Sequence, residues 1–83
     1  MNPTELKRVQ PNADQLARLS QMIRRLRSGV VPTTEVRDLE DQVPQTYVNL
    51  YHVGGKGYVP YLENHHTDTS IRLDRVGNGY TAK

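Results

Sequence analysis

At Pro44 the hydrophobic period of this chain changes, and that change sets what it can fold into. Before it, apolar residues recur every three or four positions: Leu16, Leu19, Ile23 and Leu26 in one run, then Val36, Leu39 and Val43 in the next. Such spacing lines one face of an α-helix. After it the repeat shortens to two, with Val48 and Leu50 alternating against Tyr47, Asn49, Tyr51 and Val53. That is the period of a strand with one buried face. The fold class that follows is α+β, in one small domain over residues 1–83 that is helical over 1–43 and β-rich over 44–83.

The helix ends are written locally. Asn12 is a good N-cap, Gln15 stands three residues on as in a capping box, and Gly29 supplies a stop. A second helix, "TTEVRDLEDQV", follows a short "VVP" connection, with Thr33 or Thr34 as its cap and Pro44 as its end. Matching stripes and a short loop predict an αα-hairpin. The leading "PTELKRV" has room for one turn of a third helix ahead of Pro11.

Past Pro44, "TYVNLYHV" is a strand, "GGKG" a turn and "YVPYL" a return strand. Pro60 assigns that return strand to a sheet edge, because proline brings no N–H to a ladder. A polar loop, "ENHHTDT", leads to "SIRLDRV", a strand with Ile71 and Leu73 inward. Gly77-Asn78-Gly79 then turns into a short last strand, "YTAK". The predicted architecture is an N-terminal helical hairpin of two or three helices, followed by a small antiparallel β-meander of three to four strands.

The core of such a domain is thin. A chain of 83 residues buries roughly 60% of its unfolded surface. Only 35% of these residues are hydrophobic, with no Trp and no Phe, so the core falls to Leu, Val and Ile with Tyr at its margins. A partner protein or a second copy of the chain would relieve the shortage.

Composition also removes function classes. With no cysteine there is no disulfide, thiolate nucleophile or Cys-type zinc site, and a cytoplasmic setting is the expectation. The N-terminal fifteen residues contain no apolar core of a secretory signal. No apolar run approaches the ~20 residues of a membrane span. Ser20, Ser28 and Ser70 have no histidine at a relay spacing, and the paired carboxylates sit in one solvated helix. The chain reads as non-enzymatic, without a cofactor, a bound metal or a small-molecule substrate.

Four groups of residues remain as binding candidates. Tyr47, Tyr51, Tyr58 and Tyr61 flank the "GGKG" turn with Lys56, and interfaces are enriched in such rings. Tyr47 and Tyr51 share one strand face, and a simple register sets Tyr58 opposite them, giving a patch of at least three rings. The competing reading is that these rings roof the core. The second group is Arg18, Arg24, Arg25 and Arg27 on the first helix, to which Arg72 and Arg75 add a Tyr/Arg sheet face. Either set could follow a phosphate backbone. Against that, the net charge is only +2, and Glu35, Asp38, Glu40 and Asp41 on the next helix can neutralise the first.

The third group is His52, His65 and His66 near Glu63 and Asp68. Adjacent histidines in extended chain point to opposite sides and no H-E-x-x-H spacing occurs, so a solvated loop is expected rather than a metal centre, with pH sensitivity of a partner interface as a lesser option. The fourth is "GGKG" itself, which leads into a strand and lacks the P-loop pattern, so it reads as a hairpin turn with positive-φ glycines. The expectation that results is an interaction module docking through its Tyr-rich sheet or helix face. That format suits a small bacterial or phage accessory protein, an inhibitor or a minor assembly subunit. Nucleic-acid binding through the arginines is the alternative.

Overall fold

The computed structural model describes residues 9–83. Helix α1, Ala13–Ser28, opens on the expected capping box: the Asn12 side chain accepts from the Gln15 N–H, and the Gln15 side chain accepts from the Asn12 N–H. Its buried stripe is Leu19, Met22 and Leu26, with Ile23 packed at the margin, so Met22 takes the place given to Leu16. Gly29 ends the helix with extended backbone, φ 179°, rather than in the left-handed region. The helical turn expected at 3–9 falls on residues outside those described, apart from Val9, which is not helical.

Strand β1, Val31–Pro32, occupies what reads in sequence as a bare connection. Helix α2, Thr33–Gln42, buries Val36 and Leu39, and Val43 beyond its end is fully buried. No Thr side chain caps it. Instead the Thr33 N–H and hydroxyl both donate to the Asn78 carbonyl, at 2.9 and 2.8 Å. The two helices run antiparallel, as the contacts at their opposite ends require: Gln15 donates to the Gln42 carbonyl and Arg25 pairs with Glu35 at 2.6 Å.

The rest of the described chain is β2 Thr46–Val53, a 3₁₀ turn at Gly54–Lys56, β3 Gly57–Asn64, β4 Thr69–Arg72, β5 Asp74–Val76 and β6 Gly79–Thr81. They form two antiparallel three-stranded sheets, ordered β2-β3-β4 and β1-β6-β5. Three sequence readings need correcting here. In place of one meander of three to four strands the described residues form six strands in two sheets, because Val31–Pro32 pairs with β6. The "SIRLDRV" segment is two strands in different sheets, divided at Leu73, which is 0% exposed and turns the corner between them. Pro60 lies in the central strand β3, not at an edge. Central placement is tolerated because β4 pairs β3 only over Tyr61–Asn64; at Pro60 the carbonyl still accepts from the Leu73 N–H, at 2.9 Å.

One cluster forms the core: Leu19, Met22, Leu26, Val31, Val36, Leu39, Val43, Leu62, Leu73 and Tyr80. Tyr80 is its only aromatic member. Beside it Asn64 is fully buried and satisfied at both ends. Its amide donates to the Thr46 hydroxyl and the Pro44 carbonyl, and its carbonyl accepts from the His66 and Thr67 N–H groups. The loop after β3 is therefore organised from beneath rather than only solvated. Leu73→Ala should cost about 2–5 kcal/mol in urea denaturation, because its side chain is fully buried in the core cluster. A loss under about 1 kcal/mol would show that the two sheets do not depend on it.

Candidate functional site

The β2–β3 hairpin carries most of the candidate residues, and its register decides which of them meet. The three-residue turn pairs Val53 with Gly57, so His52 faces Tyr58, Tyr51 faces Val59 and Asn49 faces Tyr61. Gly54 and Gly57 take positive φ, 34° and 73°, as a turn of this length requires. The period of two then divides the rings between faces. Tyr47, Tyr51 and Tyr61 share the outer face with Asn49 and Glu63. Tyr58 lies on the opposite face with Leu50, His52 and Pro60. The expected patch of three rings is present, but Tyr61 stands in it where Tyr58 was expected. The turn length, which shifts the register by one residue, is the reason.

On the outer face Glu63 organises its neighbours. One carboxylate oxygen accepts from the Asn49 amide at 2.6 Å and from the Tyr51 hydroxyl at 2.7 Å. The Tyr51 and Tyr61 rings meet edge to face, 5.3 Å between centroids. His65 comes within 4.0 Å of the same carboxylate and packs on Tyr47 at 5.1 Å. The Asn49 hydrogen bond, opposed by partial burial and assisted by Tyr51, holds the Glu63 carboxyl below its ordinary pKa. The hydrogen bond to Glu63 raises the Tyr51 phenol above its own.

Beyond Val48 strand β2 outruns the core, while Val59 and Pro60 opposite it on β3 stay buried. Leu50 faces the core side by alternation and is nevertheless 51% exposed, while Tyr51 is 45% and Tyr58 69% exposed. None of Tyr47, Tyr51, Tyr58 and Tyr61 belongs to the core cluster. The edge of β2 is also open there. The Val48 N–H points away from β3, to the Glu40 carboxylate at 3.3 Å. By the two-residue repeat the main-chain groups of Leu50 and His52 point the same way, and no described residue pairs with them.

The cationic candidates are distributed over three places. Arg25 is bound to Glu35, and Arg18 lies 3.5 Å from the Gln42 side chain. Arg24 and Arg27 face a cleft of about 450 Å³ between α1 and β4. Lys56, Arg72 and Arg75 converge with Tyr58 and Asp74 on a recess of about 240 Å³, where β3 has lost its β4 neighbour. Of the four rings that the sequence groups with these cations, only Tyr58 lines the recess. The histidines do not converge: His52 stacks edge-on against Tyr58 at 5.4 Å, about 20 Å along the strand from the loop that holds His65 and His66. Among the described residues no three His, Asp or Glu are placed to hold a metal ion. No helix among them is long and apolar enough to cross a membrane.

Comparison with known protein families, with curated proteins and with solved structures gives no match.

The Glu63 cluster makes a pH prediction with a definite sign. A carboxyl whose pKa is depressed on folding contributes stability above its unfolded pKa, and loses it as pH falls through the folded one. The raised Tyr51 phenol contributes below the unfolded tyrosine pKa and loses its contribution as pH rises through the folded value. Glu63→Gln should therefore flatten the acid limb of the stability profile and return the Tyr51 tyrosinate absorbance titration toward the ordinary range. Unchanged acid and alkaline limbs would show that the cluster is not formed in solution.

Proposed function

We propose that this chain is a non-enzymatic protein-interaction module that docks through the outer half of its β2–β3 hairpin. The observation that carries the reading is the coincidence there of Leu50, Tyr51 and Tyr58, all exposed, with an unpaired strand edge. Exposed rings of low conformational entropy are what interfaces enrich, and an open edge adds main-chain hydrogen bonds to a partner strand. Edge strands are normally blunted by charge or proline, and Leu50 and Tyr51 do neither. The occupant is a partner protein, or a second copy of the chain. Lys56 at the hairpin tip supplies charge at the rim, while Tyr47 and Tyr61 extend the outer face toward the core. A small cytoplasmic accessory protein of bacterial or phage type, acting as an inhibitor or a minor assembly subunit, fits this format.

The alternative, nucleic-acid binding, is supported by one feature: Lys56, Arg72 and Arg75 gather beside Tyr58, the most exposed ring. A base could stack on that ring with its phosphates on the cations.

Capture from a lysate of the native host separates the two. Tyr51→Ala and Leu50→Arg should each reduce capture of a protein partner, by about 2 kcal/mol for the tyrosine, with unfolding midpoints shifted little. Capture should persist at high salt, whereas phosphate contacts would weaken steeply with it. If both variants unfold the chain, the hairpin is part of the core and the proposal fails. If the captured material is nucleic acid and salt releases it, the alternative takes its place.

A further inference from the structure

The cleft between α1 and β4 is a second surface that does not depend on the hairpin. Its helical wall is Ser20, Ile23, Arg24 and Arg27, positions that recur at one face of α1 beside the core stripe. Its other wall is β4, the outer strand of its sheet. Ile23 and Ile71 are both half-buried against the core and form an apolar floor.

The main-chain groups of β4 can be assigned from its register. The Pro60 carbonyl points toward β4, so the main-chain groups of Leu62 do too, and they meet Ile71. Ser70 and Arg72 alternate with Ile71, so their N–H and C=O groups point away from β3. No described residue pairs with them. That leaves two donors and two acceptors along one edge, at the spacing of a strand.

The charge of the cleft is one-sided. Arg25 and Glu35 neutralise each other on another face of α1, but Arg24 and Arg27 have no carboxylate within ion-pair distance among the described residues. The lining of the cleft contains no acidic side chain. It contains no aromatic ring either, so nothing there can hold a base by stacking.

We infer that this cleft binds an extended acidic peptide segment of a partner protein, which adds to β4 as a further strand. The peptide backbone bonds to Ser70 and Arg72, an apolar side chain rests on Ile23 and Ile71, and a carboxylate meets Arg24 and Arg27. Strand addition of this kind draws affinity from the main chain and specificity from the side chains. The free edge and the apolar floor favour a peptide over a nucleic acid, which has no main-chain amide to offer.

The test is an NMR titration of the isotope-labelled chain with a synthetic peptide of alternating Val and Glu. Saturable shifts should appear at Thr69–Arg72, and the Ser70 and Arg72 amides should gain protection from exchange. Arg24→Gln with Arg27→Gln, both exposed, should keep the fold and weaken binding about tenfold, the loss of one charge-assisted contact. Ser70→Pro should abolish binding by removing an outward N–H, with the Leu62–Ile71 pairing retained. Leu50→Arg in the hairpin should change nothing. An absence of saturable shifts overturns the inference, and so does equal binding of a Val-Lys peptide. Oligothymidylate moving the same amides at lower concentration would assign the cleft to phosphates and overturn it as well.

Discussion

The close approach of β6 to β1 holds this molecule together. Gly79 faces Pro32 across that pairing, and a Cβ at Gly79 would stand 2.6 Å from the Val31 carbonyl oxygen and 2.6 Å from a Val30 methyl. Only glycine fits. From this contact the C-terminal segment reaches both helices. Tyr80 is buried among the helices, the Thr81 hydroxyl and the Ala82 N–H both donate to the Leu26 carbonyl, and the Asn78 carbonyl takes the first donors of α2. The end of α1 and the start of α2 are thus both satisfied by the last turn and strand of the chain. A helical half and a β half that look separable in sequence share one core.

The size of that core governs what is left outside it. Leu and Val residues with one Tyr and one Met fill the space between the helices and the near half of the hairpin, and past Val48 burial continues only on β3, at Val59 and Pro60. Val48 is the last residue of β2 to pack on the core, and Leu50 already projects past it. The exposed residues of β2 are therefore a consequence of length, since this eight-residue strand continues past its last core contact at Val48.

How legible this was in the sequence depends on range. Local signals were sufficient for the capping box at Asn12 and Gln15, the α2 stripe and the alternation of β2, because each is fixed by residues within one or two turns or strands. What escaped depends on pairing between distant segments. Val31–Pro32 is too short to look like a strand until β6 lies beside it, and Thr33 looks like a cap until the Asn78 carbonyl arrives. Tyr58 changed faces because a single loop residue sets the register. Leu73, apolar and in phase with Ile71, gave no hint that two sheets divide there. Among the site residues, the role of Glu63 as acceptor for Asn49 and Tyr51 follows only once those partners are known, whereas the grouping of Lys56 with Arg72 and Arg75 is legible in the sequence and only the ring that joins them is not.

Both proposed surfaces are open strand edges, while among the described residues no buried side-chain polar atom lacks a partner. Amide hydrogen exchange in the isolated chain tests this most directly. Along β2, Asn49 and Tyr51 should be protected and Leu50 and His52 should exchange freely. Along β4, Ile71 should be protected and Ser70 and Arg72 free. Uniform protection along both strands would mean that the edges are already covered in the isolated chain, and would contradict the account.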